Sequence, residues 1–159
     1  MIIKKDERLL VLRIGEYKKY SFIDEHANVI RKHGFVWMLK LGKAIPNGAL
    51  DNTIGINSVV LLREPKRVGG KLFLCKCTEY RNGEVLPNYL FPTYYEEMFS
   101  EYYWLSSSGT WLCLTSIIPL DEEYYDTLVM AQSGKPLIQV LNETRTSMMY
   151  VKNTIDIHY

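Results

Sequence analysis

Runs of apolar residues predict most of the strands of the fold. The segment RLLVLRIG predicts a first strand that ends at Gly15, and FVWMLK predicts a second strand. The segments SVVLLR and KLFLCKCTEY flank the turn EPKRVGG, so they predict a long hairpin. Later apolar runs predict three more strands, the last of which is expected to be the final strand of the chain: TWLCLTSIIPL, LVMAQSG and TSMMYVK.

The segment SFIDEHANVIRKHG carries the signals that begin and end a helix. Ser21 is a good N-cap, Asp24 follows three residues later, and Gly34 is a typical C-terminal stop. Basic residues precede Gly34, where they interact favourably with the helix dipole. These signals predict one helix between the first two strands.

Three further helical segments are predicted to be short. Thr93, with Glu96 three residues later, marks the start of one; Asp121 begins a helical turn; and Pro136 lies in the first turn of a third. The segment 41–57 contains glycines and a proline and is predicted to be a loop.

The order of these elements predicts the fold class. About six strands with few, short helices indicate an α+β protein with a mixed sheet. Such a sheet avoids unpaired edges by partial closure into a small pseudo-barrel. The 159 residues suit one domain, spanning 1–159.

This arrangement resembles the PUA-like superfamily, which includes the EVE, ASCH and YTH domains. The likeness rests on the early helix FIDEHANVIRKHG, the strand FVWMLK, the hairpin SVVLLREPKRVGGKLFLCKCTEY and the late strand TWLCLTSIIPL. The resemblance implies RNA binding or recognition of a modified base, commonly in a pocket lined by aromatic side chains.

Charge is distributed unevenly along the chain. Residues 1–83 contain 16 Lys and Arg against 8 Asp and Glu, whereas residues 84–159 contain 3 against 10. Two interpretations remain open: the two halves neutralise each other, or the first half presents a basic face to a polyanion. The chain has no apolar run long enough for a membrane span and no signal peptide, so a cytoplasmic protein without a membrane partner is expected.

The three cysteines are predicted to be core thiols. Strand alternation turns Phe73, Cys75 and Cys77 toward the same face, and Cys113 lies in another apolar run. The Cys-x-Cys spacing is too short for the common zinc motifs, so neither a metal site nor a cofactor is predicted.

Candidate binding residues combine aromatic rings, on which bases stack, with cations for phosphates. On FVWMLK, alternation places Trp37 and Lys40 on opposite faces. Trp37 is therefore either a core residue or a wall of the barrel, while Lys40 emerges at the strand end near Lys43. Further cations lie at the hairpin tip: Arg63, Lys66 and Arg67.

Two more candidates lie in the second half of the chain. Trp104 borders a polar turn and is expected to be exposed, unlike Trp111, which lies in an apolar run. Arg145 lies at a helix-to-strand junction, where it contacts either a phosphate or a backbone carbonyl, and the structural role is favoured.

Enzyme motifs are absent: the chain has no HExxH, GxSxG, Walker or GxGxxG pattern. The sequence therefore predicts a non-catalytic domain that binds nucleic acid, either RNA or modified DNA, or a modified nucleobase. The alternative is a protein-interaction or homodimer module that uses the Tyr-rich segment 94–104.

Overall fold

The computed structural model describes residues 1–159. The strands are β1 (Ile2–Ile3), β2 (Arg8–Arg13), β3 (Val36–Lys40), β4 (Val59–Arg63), β5 (Leu72–Asn82), β6 (Thr110–Pro119), β7 (Leu128–Met130), β8 (Met148–Asn153) and β9 (Ile157–His158). The helices are α1 (Phe22–His33), α2 (Asn47–Asn52), α3 (Ile54–Asn57), α4 (Tyr94–Glu101) and α5 (Leu137–Glu143). Three 3-10 helices cover Lys66–Val68, Tyr103–Ser106 and Glu122–Thr127.

Seven strands form one mixed sheet in the order β3-β6-β5-β4-β2-β8-β7. Only β2 and β4 run parallel; all other neighbours are antiparallel. The register of β5 against β6 shifts on either side of Cys77, and such bulges bend a strand. The sheet does not close into a barrel, but it curls so far that β2 and β3, which three strands separate, line one cavity. The predicted α+β class is confirmed.

Apolar side chains cover both faces of the sheet and form three clusters. The first lies inside the curl and contains Leu12, Met38, Cys75 and Cys77. The second, on the outer face of β2, β4 and β8, is covered by α5 and the 3-10 helix 122–127. The third, on the outer face of β3 and β6, is covered by α4 and the segment before it.

The predicted helix between the first two strands is confirmed as α1. The Ser21 side chain accepts a hydrogen bond from the Asp24 N–H, and Gly34, with a positive φ of 87°, ends the helix. Strands β2 to β8 match the predicted runs. In α4, the Thr93 side chain makes no capping hydrogen bond, although the helix begins where predicted.

Two predictions about secondary structure are wrong. The segment 41–57 contains the short helices α2 and α3, because Leu50 and Ile54 pack into the core inside the curl. TSMMYVK is not the final strand: β9 follows it and pairs with β1. Ile157 is buried in that pairing, which joins the two ends of the chain.

All three cysteines are free and buried, as predicted. Cys75 and Cys77 lie with Phe73 inside the curl, whereas Cys113 lies in the outer cluster on β3 and β6. Burial raises the pKa of the Cys77 thiol to about 12, so this sulfur stays protonated at neutral pH. These thiols are packing residues and not activated nucleophiles.

Candidate functional site

A cavity of about 230 Å³ lies between β2 and β3. These two strands are not hydrogen-bonded to each other, but the curl of the sheet brings both to the cavity. The end of β2 and the segment Gly15–Tyr17 form one side, and the end of β3 with Leu41 forms the other. The rest of the lining comes from Ile14, Phe22 of α1, Ser147 before β8 and three residues of α4: Tyr94, Tyr95 and Met98. Ten of the 15 lining residues are hydrophobic, so this is an apolar cavity with a few polar groups.

Aromatic rings stack along one side of the cavity. Tyr20 and Tyr17 lie nearly parallel to Tyr94, with ring centroids 5.1 Å and 6.0 Å away. Polar contacts hold the segment 17–20 to α4: Lys18 forms ion pairs with Glu97 at 2.7 Å and Glu101 at 3.2 Å. The segment 17–20 is thus held against α4 and borders the cavity.

Two further hydrogen bonds join the segment 17–20 to α4. The Tyr17 hydroxyl donates to the Glu101 carboxylate, and the Tyr20 hydroxyl donates to Glu97 over 3.0 Å. These bonds raise the pKa of both tyrosines. The pKa of Glu97 is lowered by Lys18 and then by Tyr20, and the pKa of Glu101 is lowered by Tyr17 and then by Lys18. The phenols are therefore neutral donors at physiological pH.

A buried chain of hydrogen bonds supports the wall of the cavity. Nδ1–H of His26 donates to the Phe22 carbonyl over 2.7 Å, which leaves Nε2 to accept from the Tyr95 hydroxyl at 2.6 Å. The Tyr95 oxygen in turn accepts from the backbone N–H of Leu39 at 3.1 Å. Burial lowers the pKa of His26 from 6.5 to about 3, so the imidazole is neutral.

Three charged side chains reach the cavity: Arg13, Glu16 and Lys40. The Lys40 ammonium donates to the Lys43 carbonyl over 2.6 Å, and partial burial lowers the pKa of Lys40. An ammonium group has three donors, and Lys43 uses one of them. Lys40 therefore retains donors for a ligand.

Arg13 is held in place by backbone carbonyls. Its guanidinium donates to the carbonyl oxygens of Leu141, Thr144 and Thr146 at 2.7, 2.6 and 2.8 Å. The pKa of Arg13 is lowered, first by burial and then by Arg63, its partner in the parallel ladder between β2 and β4. Arg63 thus lies one strand away from the cavity lining.

Of the eight residues predicted to bind a ligand, only Lys40 lines this cavity. Trp37 lies on the outer face of β3, with 6% of its surface exposed, and stacks on Tyr89 at a centroid distance of 3.9 Å. Of the two alternatives for Trp37, the structure shows the core residue. Trp37 and Lys40 lie on opposite faces of β3, as predicted.

The cations of the hairpin tip do not adjoin the cavity. Arg63 is buried and donates to the Glu64 carbonyl at 3.2 Å, while Lys66 and Arg67 are exposed on the 3-10 helix of the turn. Lys43 is exposed beside Lys40. The structure therefore separates the hairpin cations from Lys40 and Lys43, instead of placing them around one pocket.

The aromatic residues of segment 94–104 divide into two groups. Tyr94 and Tyr95 are buried in the outer cluster, whereas Tyr102, Tyr103 and Trp104 are exposed. Trp104 is exposed as predicted and lines a second cleft together with Lys40. The exposed aromatic part of the predicted protein-interaction segment is thus limited to residues 102–104.

The structural role favoured for Arg145 is wrong. Arg145 is exposed and makes no hydrogen bond, and the carbonyls at this junction are bound by Arg13 instead. The sequence offers no local signal for this exchange, because Arg13 lies more than 120 positions earlier in the chain.

The sequence interpretation missed the aromatic lining of the cavity, which consists mainly of Tyr17, Phe22, Tyr94 and Tyr95. Helical spacing within α4 places Tyr94, Tyr95 and Met98 close together, which is a signal for a buried face. That this face meets the end of β2 depends on the curl of the sheet and could not be read from local pattern.

The chain matches no protein-family model, no curated protein and no solved structure. None of its helices is both long and apolar enough to span a membrane.

Proposed function

We propose that the protein binds single-stranded nucleic acid, RNA or modified DNA, and holds one base in the cavity between β2 and β3 without catalysing a reaction. The observation that carries this proposal is the cavity itself, which combines tyrosine and phenylalanine rings with the donors of Lys40. Aromatic planes bind bases of any sequence, and a cation binds the adjoining phosphate.

The size of the cavity supports a small planar group as the occupant. Pockets for drug-sized ligands measure roughly 300–1,000 Å³. The cavity, at about 230 Å³, is smaller and suits one ring system, whether an ordinary or a modified base. A base reaches such a site only when it is unstacked, so single strands are the expected partners.

Unpaired positive charge supports a polyanionic partner. Lys18 is the only cation in the structure that forms an ion pair, so the other Lys and Arg residues of segment 1–83 are not neutralised by direct contacts. This favours the basic face over mutual neutralisation of the two halves. We also propose a PUA-like pseudo-barrel, which the curled mixed sheet supports, and a cytoplasmic location stays a prediction.

Fluorescence anisotropy with labelled single-stranded and double-stranded oligonucleotides tests the proposal. We expect binding at low salt that weakens as salt rises, with single strands bound more tightly. Lys40→Gln keeps a donor for the Lys43 carbonyl but removes the charge. It should weaken binding and reduce the slope of log affinity against log salt by about 0.7, the value for one phosphate contact on a single strand.

Lys135→Gln is the matched control, because it removes one positive charge from an exposed position in the second half of the chain. Its affinity and salt slope should equal those of the unmodified protein. The absence of binding at low salt across purine and pyrimidine probes would contradict the proposal.

A further inference from the structure

The end of β3 separates the cavity from a second cleft. Leu39, Lys40 and Leu41 line both. The cleft measures about 230 Å³, the same as the cavity, and its opposite side contains Trp104 and Leu105. The two spaces therefore adjoin across three consecutive residues, and Lys40 is the charged residue common to both.

Trp104 presents an aromatic surface to this cleft. Its exposed fraction is 52%, against 6% for Trp37 and 0% for Trp111. Tyr102 and Tyr103 contact it in T-shaped arrangements, with centroid distances of 5.6 and 5.4 Å. Neither tyrosine lies parallel to the indole, and about half of the Trp104 surface is exposed to a ligand.

The charge of the cleft favours an anion beside that flat ligand. Lys40 is the only charged residue in the lining, and no acidic side chain is present. The exposed Lys43 adjoins it, since its carbonyl accepts the hydrogen bond from Lys40. An aromatic plane next to an unpaired ammonium matches one nucleotide, with its base and its phosphate.

We propose that this cleft is a second nucleotide subsite, in which the base next to the one in the cavity stacks on Trp104 while Lys40 contacts the phosphate between them. This inference rests on the proposed function. It implies that the protein reads at least two consecutive nucleotides, and that a mononucleotide occupies only part of the site.

Binding of nucleoside monophosphates and of short single-stranded trinucleotides tests the inference. The unmodified protein should bind trinucleotides more tightly than monophosphates. Trp104→Ala should lower the trinucleotide affinity by about 5- to 150-fold, the range for one stacked base, and leave the monophosphate affinity unchanged. Trinucleotides should also quench the fluorescence of Trp104 in the unmodified protein, since the other two tryptophans are buried.

Ile56→Ala is the control, because Ile56 is an exposed apolar residue of α3, with an exposed fraction of 68%, and lines neither the cavity nor the cleft. It should leave both affinities unchanged. Equal affinities for monophosphates and trinucleotides, or a Trp104→Ala variant that binds trinucleotides normally, would overturn the subsite but leave the proposed function standing. Failure of the unmodified protein to bind either probe would overturn both.

A protein partner for the same surface is a separate outcome. Sedimentation velocity over a range of concentrations would show self-association if Trp104 contacted a second copy of the chain. Association that disappears in Trp104→Ala and is unaffected by trinucleotides would assign the cleft to a protein interface and reject the nucleotide subsite.

Discussion

The Tyr95 hydroxyl donates a 2.6 Å hydrogen bond to Nε2 of His26 in the wall of the cavity. The bond joins α4 to α1, and the Leu39 N–H, which donates to the same oxygen, adds β3. Both side chains are buried, so water cannot replace a lost partner. One hydroxyl group thus links three of the elements that surround the candidate site.

Tyr95→Phe removes this hydroxyl and leaves two buried polar groups without a partner, His26 Nε2 and the Leu39 N–H. The free energy of unfolding should fall by at least about 1–3 kcal/mol, the cost of one unsatisfied buried group. Urea denaturation measures this loss. Tyr89→Phe is the control, because the Tyr89 hydroxyl makes no hydrogen bond, and an equal loss in both variants would contradict the account.

The neutral state of His26 predicts a pH dependence of stability. Burial lowers its pKa from 6.5 to about 3, so between these pH values the unfolded chain binds a proton that the folded protein does not. Stability should therefore fall as the pH decreases below 6.5, by about 2 kcal/mol between pH 7 and pH 5 for this one group.

Comparison with His26→Gln isolates this contribution from other titrating groups. The variant lacks the proton uptake, so the stability difference between it and the unmodified protein should shrink by the same amount between pH 7 and pH 5. Urea denaturation at both pH values gives the two differences. A difference that stays constant with pH would show that His26 is not held neutral.

The stacked pair of Trp37 and Tyr89 predicts a structural role for the tryptophan. Trp37→Ala should lower the free energy of unfolding by about 3–5 kcal/mol through lost burial and a residual cavity. Lys40→Gln, in which the strand end keeps its polar contact, should change stability little. Thermal melting of both variants checks this, and a Trp37→Ala variant as stable as the unmodified protein would mean that the indole is not a core residue.

Local signals explain which parts of the fold were predictable. Ser21 and Gly34 specify the ends of α1 within one segment of the chain. By contrast, β9 consists of two residues that pair with β1 more than 150 positions earlier, so no neighbouring residue marks it. In segment 41–57, tertiary packing of Leu50 and Ile54 outweighs the helix-breaking tendency of the glycines.

The candidate site was only partly predictable for the same reason. Lys40 could be identified because a lysine at the end of an apolar strand must emerge from the core. Its aromatic neighbours Tyr94 and Tyr95 come from α4, and they meet β3 only because the sheet curls. A cavity assembled from distant segments leaves no periodic pattern in any one of them.

Methionine methyl NMR tests the central claim most directly, because methionines lie both inside and outside the proposed site. Met38 and Met98 line the cavity, whereas Met130 and Met149 line a separate groove with Arg8 and Tyr150. With ¹³C-methyl-labelled methionine and a single-stranded oligonucleotide, we predict saturable shifts of the Met38 and Met98 signals and none for Met130 and Met149. Binding that leaves Met38 and Met98 unshifted, or that shifts Met130 and Met149 instead, would contradict the proposal that the cavity between β2 and β3 holds a base.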